Sequence, residues 1–333
     1  MQLPRTTSLH RYSRGFSLVE LMVALVITLI LMAGVSQIFL SSKRSYVIQE
    51  RLGRMQENGR YAMETLVADL RRAGYLGGNA DVGEIVDNTP EGVSSGFKTA
   101  SENGTCSGGN TNWARMLASP IFGLNDTRSN YSCLPSDSTH VGDILVVRYA
   151  APWVVGGITT NTFENNQYYL RSSLFEGRLF RGADQASSNN QIESAAAIRT
   201  AELIANGYFI HTSENSDASK CPGSAAVPSL YRIALRNGAL VAEEIAYGVE
   251  QFQVQYGLDT NDDGSVDSFV DAPAYNSTQW DDVIAARIWI LVRAECQEPG
   301  FTDSNTYAMG DVNYTPSDSY RRQMFTSTVS LRN

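Results

Sequence analysis

Histidine is scarce in this chain of 333 residues: there are three, and only His140 and His211 lie beyond the first fifteen positions. Neither sits in a metal-ligand or triad motif, so imidazole acid–base or nucleophilic chemistry has little to build on. Cysteine is limited to Cys106, Cys133, Cys221 and Cys296, with no CxxC pair and no Cys/His ligand cluster, which argues against zinc. No phosphate-binding loop and no dinucleotide fingerprint occurs. Gly92-Val93-Ser94-Ser95-Gly96 has the letters of a nucleophile elbow, but it follows a polar, proline-containing loop instead of a strand, and no helical pattern follows it. These absences predict a protein that is not an enzyme. Positive charge is also in deficit, with 26 basic against 35 acidic residues. That balance disfavours a phosphate-backbone partner, and no specific nucleic acid is expected.

What is present is concentrated at the start. Fifteen mostly polar residues carry Arg5, Arg11 and Arg14 and no acid; then Gly15-Phe16-Ser17-Leu18-Val19-Glu20 opens an apolar run to about Leu40, in which Glu20 is the only charge. Such a run can span a bilayer as a helix at ~1.5 Å per residue. A carboxylate inside it costs about 2.5–3.5 kcal/mol on insertion scales, so it should have a purpose. An ordinary secretory signal, with its apolar core at 16–32 and a cut near Ala33-Gly34, is the competing explanation. It fits less well, because Glu20 would fall early in that core and the pattern beyond Ser36 continues as helix.

This stretch resembles the class III leader of type IV pilins and pseudopilins. The resemblance implies that a prepilin peptidase cuts after Gly15 and that Phe16 becomes the methylated N-terminus, with Glu20 as fifth residue. It also implies a filament role for Glu20, whose carboxylate would offset the amine of Phe16 on a neighbouring subunit. A carboxylate reaching for the membrane edge is the simpler alternative. Removing residues 1–15 leaves 23 basic against 35 acidic residues, which suits an exported domain.

Ile48, Leu52, Met55, Gly59, Ala62, Leu66, Leu70 and Ala73 recur at spacings of four and three, one stripe of a continuing helix. Lys43, Arg44, Glu50, Arg51, Arg54, Glu57, Arg60, Glu64, Asp69 and Arg71 are assigned to the opposite, charged face. Gly53 and Gly59 are candidate bending points, and Gly74 after Arg71-Arg72 is a candidate C′ residue. The expected organisation is a leader at 1–15, a transmembrane half-helix at 16–40, an amphipathic half at 41–76 and a β-rich domain at 77–333. The fold class is α+β and pilin-like, a long N-terminal helix packed on mostly antiparallel sheet.

From Gly77 to about Val141 the chain is rich in Gly, Asn, Ser and Thr and reads as a long, partly irregular connection pinned by Cys106 and Cys133. With export argued, two disulfides are natural. Of three pairings, Cys106–Cys133 and Cys221–Cys296 are favoured, the first for closing a short loop. Strand signals then become dense: 144–149, 168–170, 207–211, a hairpin at 230–245 turning on Asn237-Gly238, 248–257 with Phe252 out of step, 283–293 and an alternating tail at 322–332. That tail, closing on Leu-Arg-Asn, resembles the C-terminus of the PilW type of minor pilin. The resemblance implies assembly with other minor pilins and the major pilin at inner-membrane machinery, priming a type IV pilus and sitting at its tip. A minor pseudopilin of type II secretion, of the GspJ type, shares the same plan. A tip adhesin, docking through aromatics around Trp113, Trp153 and Tyr168-Tyr169, is a further reading.

Asp259, Asn261, Asp263, Ser265 and Asp267 place oxygens at alternate positions, with Gly264 at the sixth, as in an EF-hand-like calcium loop. Val270 stands where the bidentate glutamate belongs, and the flanks read as strand. A plain Asp/Asn/Gly turn explains the same residues, so Ca²⁺ stays open as the only candidate cofactor.

Overall fold

The computed structural model describes residues 15–79, 81–89, 112–128, 131, 133–135, 142–152, 163–192, 198–215, 221, 226–274 and 277–331. The chain divides into two compact units, Met1–Leu52 and Gly53–Asn333. Helix α1 (Leu18–Leu70) is followed by strand β1 (Ile85–Asp87), a one-turn helix α2 (Asn112–Arg115), and strands β2 (Ile121–Leu124), β3 (Ile144–Ala150), β4 (Tyr168–Ser172) and β5 (Gly177–Arg181). Then come β6 (Arg199–Thr212), β7 (Pro228–Arg236), β8 (Ala239–Tyr247), β9 (Val249–Leu258), β10 (Ser268–Val270), β11 (Val283–Arg293), β12 (Tyr307–Met309), β13 (Val312–Tyr314) and β14 (Arg322–Ser330).

In the first unit, every side chain from Leu18 to Leu40 is exposed, and this part of the helix is long and apolar enough to cross a bilayer. In the second unit the helix turns amphipathic. Met55, Gly59, Ala62, Leu66, Leu70 and Ala73 are buried, the stripe that the four-and-three spacing predicts. Gly74, past the helix end at Leu70, takes the left-handed region at φ +77°, and its N–H reaches Arg148 O at 3.1 Å, where a C′ glycine would bond back to the last helical turn.

The strands form an eight-stranded sheet and a four-stranded sheet. The first runs β1-β5-β4-β6-β3-β2, with β7 and then β8 added through β6; the second runs β10-β9-β11-β14. Fourteen-residue β6 joins the parts of the large sheet, pairing with β4 early, β3 in the middle and β7 late. All its described pairings are antiparallel except β1 with β5. The β7–β8 turn places Asn237 at φ +46° and Gly238 at φ +77°, the pair of left-handed residues that Asn-Gly supplies most readily. Phe122 of β2, Tyr256 of β9 and Trp280 join the two sheets, with ring centroids 5.0 Å (Phe122–Trp280) and 4.8 Å (Tyr256–Trp280) apart.

The misstep at Phe252 has a structural cause. Val292 pairs with Val249 but Leu291 pairs with Gln251, so Glu250 is the extra residue of a β-bulge. The bulge resets the alternation and returns Phe252, Val254 and Tyr256 to the buried face that Val249 occupies.

One expectation needs correction and another an addition. The stretch from 77 to 141 is not merely a connection: β1 and β2 are strands of the large sheet, and α2 lies against β6. Their anchors are buried arginines. Arg148 donates to Trp113 O and Ser119 O, while Arg115 pairs with Asp87 and donates to Thr89 Oγ1 at 2.9 Å. A polar, glycine-rich composition hid a core whose directing groups are themselves polar. Gly59 has a packing role that its reading as a candidate bending point leaves out. Its Cα lies against the Phe325 ring, where an added β-carbon would overlap ring atoms, so glycine is required by close approach.

Candidate functional site

The helix start is capped from within. Ser17 Oγ accepts the Val19 N–H at 3.3 Å and the Glu20 carboxylate accepts the Ser17 N–H at 3.1 Å. This is a capping box, and the acid also meets the positive end of the helix dipole. The Ser17-x-x-Glu20 spacing is the sequence signature of this local role. Gly15 and Phe16 precede the helix, and Phe16 is 85% exposed.

Within the second unit, the helix is fixed to the sheet by an acid assigned from sequence to its charged face. Asp69 is 5% exposed. Its Oδ1 accepts Tyr149 OH at 2.8 Å, and its Oδ2 accepts Tyr208 OH at 2.6 Å and Asn206 Nδ2 at 2.5 Å. Arg72 Nη1 stands 3.8 Å from Oδ1. The correction follows from position: Asp69 precedes Leu70 and follows Leu66 by three, so it shares their stripe. Burial, and then the nearby Asp69 charge, push both tyrosine hydroxyls above their ordinary range, which keeps them protonated as donors. Immediately before Gly59, Asn58 Nδ2 donates to Tyr247 O at 2.9 Å.

The C-terminal half carries a second polar knot. The Arg322 side chain is fully buried. It donates to Glu250 Oε2 at 2.5 Å and Oε1 at 3.1 Å, and to Asp318 Oδ1 and Oδ2, each at 2.7 Å. Asp303 Oδ2 lies 3.3 Å away. The bulge at Glu250 therefore joins the start of β14 to the 295–320 segment. Hydrogen bonding to Arg322 holds the Asp318 carboxyl below its ordinary pKa. Nearby, Cys221 and Cys296 form a disulfide with a Cα separation of 5.2 Å. Glu295 beside it accepts Tyr247 OH at 3.1 Å. Cys133 is also disulfide-bonded; Cys106 lies outside the described residues.

The Asp-rich segment joins β9 to β10 as a tight loop. Asp259, buried, accepts the N–H groups of Asp263 at 3.1 Å and Gly264 at 2.7 Å. Asn261 and Asp263 accept from Asp263 and Ser265 N–H at 3.0 and 2.8 Å. Asp267 accepts from Thr260 Oγ1 at 2.6 Å and from its N–H at 2.9 Å, bonds that hold its carboxyl below the ordinary pKa. Asp262 and Gly264 take positive φ. The loop thus satisfies itself with Asx-type bonds. Among the described residues, the ligand-type atoms that converge within 4.8 Å are those of Cys221, Glu295 and Cys296, whose sulfurs are already bonded to each other.

The described aromatics of the expected docking face are interior. Trp113, Tyr168 and Tyr169 are buried, with Tyr169 packed edge-on to Phe163 at 4.7 Å. His211 lies in β6, edge-on to Tyr231 at 5.2 Å. Trp153, His140 and Gly92 to Gly96 lie outside the described residues.

Comparison with known proteins is informative at both ends of the chain. Residues 207–333 match the family PilW, Type IV Pilus-assembly protein W, and residues 10–36 match the Prokaryotic N-terminal methylation motif. Together these matches support a type IV minor pilin of the PilW type. No curated protein matches the chain. Among solved structures, a type IV-like pilin from Thermus thermophilus aligns at 14% identity with a TM-score of 0.30, covering 67% of this chain and 91% of its own.

Proposed function

We propose that this protein is a minor pilin that helps prime assembly of a type IV pilus and enters the filament at its tip. The observation that carries this reading is the exposed apolar half-helix headed by Phe16 and Glu20. A surface of that kind is stable only in lipid or against other apolar helices. Peptidase cleavage after Gly15 would free the Phe16 amine. Glu20, now bonded to Ser17, would then exchange that local partner for the amine of a neighbouring subunit. The same carboxylate serves helix capping before assembly and charge pairing during it.

Cleavage and membrane residence come first, with the globular unit in the periplasm; filament entry would carry it to the cell surface. Partners would be other minor pilins, the major pilin and the inner-membrane machinery. Sheet edges support lateral contacts. Among the described residues, β8 and β14 each pair with one strand only, and β14 has no charge between Arg322 and Arg332. An uncharged edge of this length invites pairing. We also infer that the Asp259 to Asp267 loop can hold Ca²⁺ after exchanging its internal bonds for the ion.

Deletion of the chain in its host tests the main reading. Loss of surface pili and twitching, restored by the wild-type copy, is expected. Normal pili with failed exoprotein secretion would instead assign it to type II secretion.

A further inference from the structure

Strand β14 presents a backbone edge that no described strand fills, and its bonds to β11 fix which groups face outward. Ala294 N–H donates to Arg321 O and Leu331 N–H to Ile284 O, each at 2.8 Å, in the register that pairs Ile290 with Phe325. Odd-numbered residues of β14 therefore bond to β11, while Met324, Thr326, Thr328 and Ser330 turn their N–H and C=O groups to the free side. These four are the exposed residues of the strand; those between them are half-buried or buried. From Met324 to Ser330 the edge carries no proline, charge or bulge, the devices that ordinarily keep an edge from pairing.

A charge stands beside this edge. Arg287 of β11 lies in register with Thr328 and donates to its Oγ1 at 3.3 Å. Its guanidinium sits over the Phe269 ring at 3.9 Å, and among the described residues it has no ion pair. A strand added to β14 would lie about 4.8 Å beyond it, so a side chain opposite Thr328 comes within reach of Arg287.

A second copy of this chain does not fit the edge. β14 meets the helix where Phe325 lies on Gly59, and the helix then runs to Asp69, bonded to β3 and β6 of the other sheet. Two copies facing each other across β14 are related by a two-fold axis, which sends these helices in opposing directions. Chains drawn from one membrane need them alike.

We propose that the β14 edge is a strand-addition site for an extended segment of a different chain of the same filament. That segment is apolar beside Phe325 and Val329 and carries an aspartate or glutamate opposite Thr328. The inference rests on the pilus reading above and specifies the chemistry of its lateral partner. The outward N–H and C=O groups supply affinity whatever the sequence, and the Arg287 charge supplies selection.

The test uses the full chain in its host, with photo-reactive benzoylphenylalanine in place of Met324. Illumination should link it to a different chain with its own N-terminal apolar helix, in a segment with an acid four residues from the linked position. Thr326→Pro/Thr328→Pro removes two outward N–H donors and no bond to β11. It should cut the cross-link and pilus entry at least tenfold, with unchanged circular dichroism and melting temperature in micelles. Arg287→Glu leaves the backbone alone and should cut the cross-link as much; reversing the charge of the partner's acid should restore it. Linkage to a second copy, or full cross-link yield from Arg287→Glu or from a folded proline variant, would overturn the proposal. Deletion that leaves pili intact would overturn the pilus reading instead, and the identity of the cross-linked chain would still decide what occupies the edge.

Discussion

Gly59 of the helix and Phe325 of β14 are in direct contact, with no space between them for a β-carbon. The helix comes this close to the edge of the four-stranded sheet because position 59 has no side chain. Gly59→Ala improves helix propensity by ~1 kcal/mol, but overpacking should outweigh this and destabilise the protein by about 1–3 kcal/mol net. Chemical denaturation measures the change. Adding Phe325→Leu should recover most of it, and a stabilised Gly59→Ala single variant would refute the packing argument.

Asp69 supplies the polar lock at the helix end. Asp69→Ala leaves two tyrosine hydroxyls and the Asn206 amide without their acceptor. At about 1–3 kcal/mol for each unsatisfied buried group, the loss should reach at least 3 kcal/mol. Asp69→Asn, which retains one acceptor oxygen, should lose less. Hydrogen exchange should show the last helical turns opening first in both variants.

Acid should loosen the C-terminal knot through Asp318. Its carboxyl titrates below the ordinary value of 3.8 because Arg322 bonds it. A depressed folded pKa gives stability that is present above the unfolded value and lost as pH falls toward the folded one. Thermal scans should therefore fall below about pH 4, the usual carboxylate range. Asp318→Asn should reduce that slope while lowering stability at neutral pH. An unchanged acid slope would remove Asp318 from the account.

Reduction tests the Cys221–Cys296 bridge, which closes a separation of 75 residues. Cys221→Ser with Cys296→Ser should cost about 2–5 kcal/mol. The loss should be largest in the contacts around Glu295 and Tyr247, and mass mapping under non-reducing conditions should return the pairing itself.

Ser17 and Glu20 separate capping from assembly. Ser17→Ala should lower helix stability by ~1 kcal/mol yet permit cleavage and pilus entry. Glu20→Ala should be cleaved and then fail to enter the filament. Normal piliation by Glu20→Ala would leave its carboxylate with capping alone.

The amino-acid sequence by itself determined the features that depend on near neighbours. Period fixed the apolar stripe from Met55 to Ala73, Asn237-Gly238 fixed the hairpin turn, and β-branched runs marked the long strands. The Gly15 to Glu20 motif needed no fold to be read, because a membrane helix and its processing site are local chemistry. Tertiary structure decided whatever depends on which distant groups meet. Asp69 looked like one more surface acid until Tyr149, Asn206 and Tyr208 came round it. Gly59 looked like a weak point until Phe325 lay against it. Asp143 precedes β3 and Val254 lies in β9, and no spacing along the chain announces the hydrogen bond between them. A polar group in the interior is tolerated only when partners reach it from elsewhere, and pairing of strands distant in sequence places those partners.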